Sequence, residues 1–200
     1  MSQTPFAPTV PSQPDFDIGA RYAPPEAEVD GVLPPGAAGQ PMWFSVSPLK
    51  LMVMSTVTLQ FYIVYWFYMQ WAMVKSRERS NIWPAVRGLF AIFFVYSLCK
   101  KVRESATPYG IALNAGMAAI GWAALSLLWK ANSEWIWWFS LAAPMFLLPV
   151  QSAMNTVNQE VAKGSPRNDR FTALNWVGIV LGGLFLLLAL VGTFMGDAEF

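Results

Sequence analysis

"LKLMVMSTVTLQFYIVYWFYMQWAMVKSRERS" occupies residues 49 to 80, and its first 25 residues carry a single charge, Lys50. A helix of that length, rising about 1.5 Å per residue, exceeds the roughly 30 Å of a bilayer's hydrocarbon core. Seven aromatic side chains fall within the eleven residues 61 to 71, and four charges then fall within the five residues 75 to 79. On a helical wheel Phe61, Tyr65 and Tyr68 share one side, with Tyr62 and Trp66 beside them and Phe67 and Trp71 nearly opposite. Rings on all sides are not a ligand stripe. Ahead of a basic loop they form an interfacial belt, polar edges at headgroup depth and faces among the acyl chains. Residues 49–73 are therefore expected to be a transmembrane helix.

The same length argument, carried outward, marks 111–129 and 174–195 as spans. A fourth, 135–157, contains Pro144 and Pro149, kinks that neighbouring helices in a membrane accommodate. Segment 84–99 differs, because only twelve uncharged residues, 88 to 99, separate Arg87 from Lys100. It is too short for a straight crossing and is expected to be interfacial or re-entrant. The expected fold class is an all-α membrane protein, a small bundle of about four transmembrane helices plus one such short helix.

Composition agrees. Apolar residues make up 55% of the chain and charged residues 12%, about half the charged share of an ordinary soluble domain. Residues 1–48 stand apart, with ten of the fifteen prolines and five acids against the single base Arg21. A segment so acidic and Pro-rich buries too little to order itself and is expected to be a disordered tail. No basic region precedes a hydrophobic core there, so it does not read as a signal peptide.

Charge orients the bundle. Basic residues dominate loops 74–87, 100–104 and 158–171, and basic loops belong in the cytoplasm. If 84–99 does not cross, all three lie on one side; four spans with both termini outside is the expected topology. Lys75, Arg77, Arg79, Arg87, Lys100, Lys101 and Arg103 are candidate lipid-headgroup residues, with simple topogenic charge as the alternative.

One cysteine, Cys99, and no histidine leave no zinc-finger spacing, no HExxH and no Ser-His or Cys-His pair. No catalytic, cofactor-binding or metal-ligating residue is expected, and neither is an enzyme or a nucleic-acid partner. The three clearest spans hold no acid or base within their cores, which disfavours a coupled transporter. Ser55, Thr58, Tyr62 and Tyr65 would share one face of the first helix. Ala115, Gly116 and Ala119 build a small-residue face on the second, and Gly178 and Gly182 form a GxxxG pair in the last. All nine are candidate helix-packing residues, with a cavity lining as the weaker alternative.

The stretches "SPLKL", "YIVYWFYMQW", "NIWP" and "RFTALNW" together resemble an uncharacterised family of proteobacterial integral-membrane proteins with SPxKL, YxxYWFYxxW, IWP and RFTxxNW motifs. The resemblance covers about residues 44–185 and implies a Gram-negative inner membrane. It implies no reaction, cofactor or ligand. The expected function is that of a noncatalytic subunit or accessory that meets the lipid bilayer and a membrane-protein partner or a second copy of itself. A small transporter, channel or lipid-handling protein is the alternative.

Overall fold

The helix that starts at Pro48 stops after ten residues. In this computed structural model, which describes residues 39–196 apart from 132 and 134, α1 (Pro48–Val57) opens with Ser47 accepting from the Lys50 amide at 3.1 Å and with Pro48 in its first turn. Proline suits that position, where an N–H would have no helical partner. At the other end, Gln60 N donates to Ser55 O at 2.7 Å and Leu59 N to Thr56 O at 3.2 Å. That pair of bonds closes the helix as a Schellman motif, with Leu59 (φ 50°) and Gln60 (φ 72°) both left-handed and neither a glycine. Thr58 Oγ1 donates back to Met54 O and accepts from Tyr62 N, the first-turn amide of α2 (Phe61–Glu78).

The expected single span over 49–73 is therefore corrected to two helices, and they reverse direction. Arg77 Nη1 reaches Met42 O at 2.6 Å. A straight continuation would carry residue 77 about 43 Å from residue 48, whereas residues 42 to 47, even fully extended, cover about 20 Å. Only a hairpin brings the ends together.

A second hairpin follows. α3 (Pro84–Leu89) runs back along α2, with Gly88 so close that a Cβ there would lie 3.0 Å from Val64 O. α4 (Ala91–Ala106) then returns, placing Lys101 Nζ 2.7 Å from Glu78 and Ser105 beneath the Trp43 indole. The expected short segment 84–99 thus begins and ends at one end of the bundle, as a re-entrant segment would. Its outer face stays exposed at Val86, Leu89, Phe93 and Tyr96, and its inner face packs on the bundle. Ala91, Val95, Leu98, Cys99, Val102 and Ala106 form a buried stripe at helical spacing.

After a 3₁₀ turn at Thr107–Tyr109, α5 (Ala115–Leu127) starts from an Asn114 cap onto the Met117 amide and runs to the opposite end, extended by Leu128–Lys130. There the chain turns into α6 (Ile136–Phe139), a 3₁₀ stretch Ser140–Leu147 containing Pro144, and α7 (Leu148–Val161). These form one rod of 26 residues, Ile136–Val161, about 43 Å long with the 3₁₀ stretch rising about 2.0 Å per residue. α8 (Ala173–Gly196) is capped reciprocally by Thr172 and Asn175 and runs back as a single uninterrupted helix.

Two sets of contacts mark the ends. Met42–Arg77, Trp43–Ser105, Trp43–Asn158 and Lys101–Glu78 gather at a polar end, together with all three basic loops. Thr56–Leu141, Gln60–Ser140 and the Trp135–Phe194 ring pair gather at the far end. The chain is an all-α bundle whose described residues contain no strand, only an isolated bridge from Val46 to Asn168. The rod and α8 are long and apolar enough to cross a membrane, with α5 and α1 as shorter apolar helices.

Candidate functional site

Residues 42–47 were assigned to the acidic tail on composition, and the structure corrects that boundary. Trp43 and Val46 are wholly buried. The rest of the expected tail, residues 1–38, lies outside the described residues. A non-helical backbone packed against helices has amides and carbonyls with no helix or ladder to join, so something else must satisfy them. Four amide side chains do so.

Gln70 of α2 pairs with both sides of Phe44, its Oε1 accepting from Phe44 N at 3.0 Å and its Nε2 donating to Phe44 O at 3.0 Å. Asn158 of α7 does the same to Trp43, at 2.9 Å and 2.7 Å. Asn155 Nδ2 donates to Val46 O at 2.9 Å, while its Oδ1 accepts from Ser45 Oγ and from Gln151 Nε2. Gln151 also donates to Phe44 O and accepts the Trp66 indole N–H at 2.6 Å. Gln151, Asn155 and Asn158 stand at spacings of four and three, one face of α7, and all four amides are buried. A carboxamide is suited to this, because it offers a donor and an acceptor at the spacing of a peptide group and carries no charge to desolvate.

Around this clamp sit the motif stretches. Lys50 is buried, with Nζ 2.8 Å from Asn168 Oδ1 and 2.7 Å from Arg170 O and its ammonium over the Phe171 ring. Burial lowers its pKa, with the Asp169 carboxylate pulling the other way. "SPLKL" and "RFT" thus meet at one point, pinning the start of α1 to the start of α8. Asn168 N adds a bond to Ser45 O at 3.1 Å.

The candidate lipid-headgroup residues separate into groups. Arg77 folds inward over the Trp43 ring, 4.8 Å from its centroid, and Arg87 lies over Trp71 at 4.3 Å. Lys101 pairs with Glu78, and Lys100 lies 3.9 Å from Glu104. Arg103 is exposed. Lys75 and Arg79 share a cleft with Trp83.

All of the candidate packing residues but Gly116 make contacts within the chain. Ser55, Thr58, Tyr62 and Tyr65 do not share one continuous helical face, since the reversal at residues 58–60 falls among them. Ser55 bonds Leu51 O, Thr58 joins the two helices, and the Tyr62 and Tyr65 rings lie 5.8 Å apart. Ala115 and Ala119 are buried, and Gly116 has open space beyond its own cap residue Asn114. At Gly182 a Cβ would overlap the carbonyl of Val57, and Gly178 lies against Met54 and Thr58, so the GxxxG pair seats α8 on α1.

The residues that do most at this site, Gln151, Asn155, Asn158 and Gln70, were not singled out as a set in the sequence. Their signal was the recurrence of carboxamides at helical spacing in "QSAMNTVNQ", where an apolar face alone would have sufficed for packing. No family model, no curated protein and no solved structure matches this chain.

Proposed function

We propose that this is a multi-pass protein of a bacterial inner membrane that acts without catalysis, as a subunit or accessory of other membrane or envelope proteins. The observation that carries this reading is the use made of the interior polar groups. A transport or lipid-handling path needs polar side chains turned toward a continuous cavity; here Gln70, Gln151, Asn155 and Asn158 close on the chain's own backbone. What remains for function is the outside. α8 supplies the largest apolar part of it, with 11% of its apolar window buried against 44% for the rod.

The positive-inside bias sets the orientation, with the polar end in the cytoplasm. α5 with its extension, the rod and α8 then cross in turn, while the α1–α2 hairpin leaves the polar end, reaches the far end at residues 56–60 and returns, so it does not change which side the later loops face. Residues 42–47 then start inside and Gly196 ends outside, in place of both termini outside. In a Cys99→Ser background, single cysteines at Arg103 and Ser165 are expected to react only from the cytoplasmic side and one at Ser133 only from the other. Reaction of Ser133 and Ser165 from the same side would break the topology.

Association itself is tested by crosslinking in native membranes and by the mass of the protein in mild detergent. A partner or a second copy is expected. A lone monomer with nothing captured would turn the reading to a small transporter.

A further inference from the structure

Where α2 hands over to α3, the surface carries an open cleft of about 750 Å³, a volume in the range of small-ligand sites. Tyr68, Ala72, Lys75 and Arg79 line it from α2 and its cap, and Trp83 and Pro84 from the start of α3. Among the described residues no carboxylate lies within ion-pair distance of Lys75 or Arg79, whereas Arg77, Lys100 and Lys101 on the same end all have one. The Ser80 hydroxyl, also in the lining, is buried and has no hydrogen-bond partner among those residues. The oxygen itself is shielded from the cleft, so it meets a ligand atom only when the Ser80 side chain rotates, and an unpartnered hydroxyl has no bond to lose in doing so. Arg79 itself closes α2 in the left-handed region, φ 47°, a position that favours glycine. Its side chain lies on the rim of the cleft.

We infer that this cleft binds the phosphate of an anionic phospholipid headgroup, with Lys75 and Arg79 as its cations and the Ser80 hydroxyl, rotated into the cleft, as a donor. Phosphate recognition by two cations and a hydroxyl would serve a soluble phosphate equally well. The surroundings select the lipid. Below the cleft, on the same two helices, Phe61, Val64, Val86 and Leu89 are exposed and form an apolar track on which acyl chains can lie. Trp83, 70% exposed, stands at the mouth, where an indole is at home at headgroup depth.

The inference rests on the membrane placement proposed above, and the test separates the two. The full-length protein is moved into nanodiscs of phosphatidylcholine, with and without phosphatidylglycerol, and the lipids it retains on release are read by native mass spectrometry. Failure to enter nanodiscs at all would break the membrane reading itself. Wild type is expected to retain phosphatidylglycerol selectively, and Lys75→Gln with Arg79→Gln to lower that retention roughly ten- to thirtyfold, the loss of two surface cations. The control, Lys100→Gln with Arg103→Gln, removes the same charge outside the cleft and is expected to retain the lipid. Equal loss in both variants, or no selectivity in wild type, overturns the site. Displacement of the lipid by millimolar inorganic phosphate overturns the lipid assignment in favour of a soluble phosphate. Should the double cleft variant fail to fold, Ser80→Ala carries the test: a several-fold loss at unchanged elution is expected, and wild-type retention overturns the proposal.

Discussion

Residues 49–73 and residues 174–195 both read as one apolar crossing, yet the first lies in a hairpin, α1 and α2, and the second in one straight helix. Their lengths do not explain it. The difference lies in side chains that hydrogen-bond their own backbone. Between residues 55 and 60 the first block places Ser55, Thr56, Thr58 and Gln60, and three of them cap, bridge or anchor the reversal. α8 has only Asn175 at its cap and Thr193, bonded to Ala189 O in its last turns. A hydropathy window averages over such residues, and a chain reversal inside an apolar block is therefore invisible to it.

The amide clamp gives the largest expected contrast. Gln70→Leu with Asn158→Leu would orphan the N–H and C=O groups of both Trp43 and Phe44, apart from the bond Gln151 gives Phe44 O. At about 1–3 kcal/mol per unsatisfied buried group, the hairpin is expected to lose its folded yield in detergent. Leu184→Ala on α8, whose side chain is largely exposed, is expected to stay within about 0.5 kcal/mol of wild type in the same unfolding measurement.

Next in size, Gly182→Leu drives a side chain into the Val57 carbonyl, and overpacking of that kind costs about 1–3 kcal/mol. It is expected to lower the thermal midpoint of the monomer. A variant that keeps that midpoint while losing a partner would show instead that this glycine faces another protein.

Thr58→Val removes both the donor to Met54 O and the acceptor for Tyr62 N. A loss of about 1 kcal/mol is expected, and it should appear as faster proteolysis at residues 58–60 rather than in α8. The smallest effect has the opposite sign. Leu59→Gly relieves a left-handed leucine, and the folded state is expected to gain about 1 kcal/mol. Destabilisation by that change would mean that the Leu59 side chain holds the turn.

How much of this was legible can be judged from the same two regions. For α8 the apolar length and the pairing of small residues were enough, because a helix without interior polar groups has few alternatives. The grouping of the basic loops was also legible, since charge position does not depend on packing. The hairpin was not, because a Schellman turn carried by Leu59 and Gln60 lacks the glycine that usually announces one. Residues 42–47 were hidden for another reason. Their burial depends on carboxamides more than a hundred residues away, Asn155 and Asn158, and composition around Pro41 and Pro48 says nothing of partners so distant. The Lys75 and Arg79 cleft was half legible: the cations were marked, but which of the seven stay free was decided by Glu78, Trp43 and Trp71.

The clamp also orders events in time. Trp43 is held by Asn158, 115 residues later in the chain, and Ser45 by Asn168. Residues 42–47 leave the ribosome early, yet they cannot be desolvated without an orphaned backbone until α7 and the loop after it exist. The segment that begins the described chain is therefore among the last to lock, a long loop closure that follows insertion of the rod. A nascent chain halted before residue 151 would hold its first helix unseated, with Trp43 still open to solvent and to proteases.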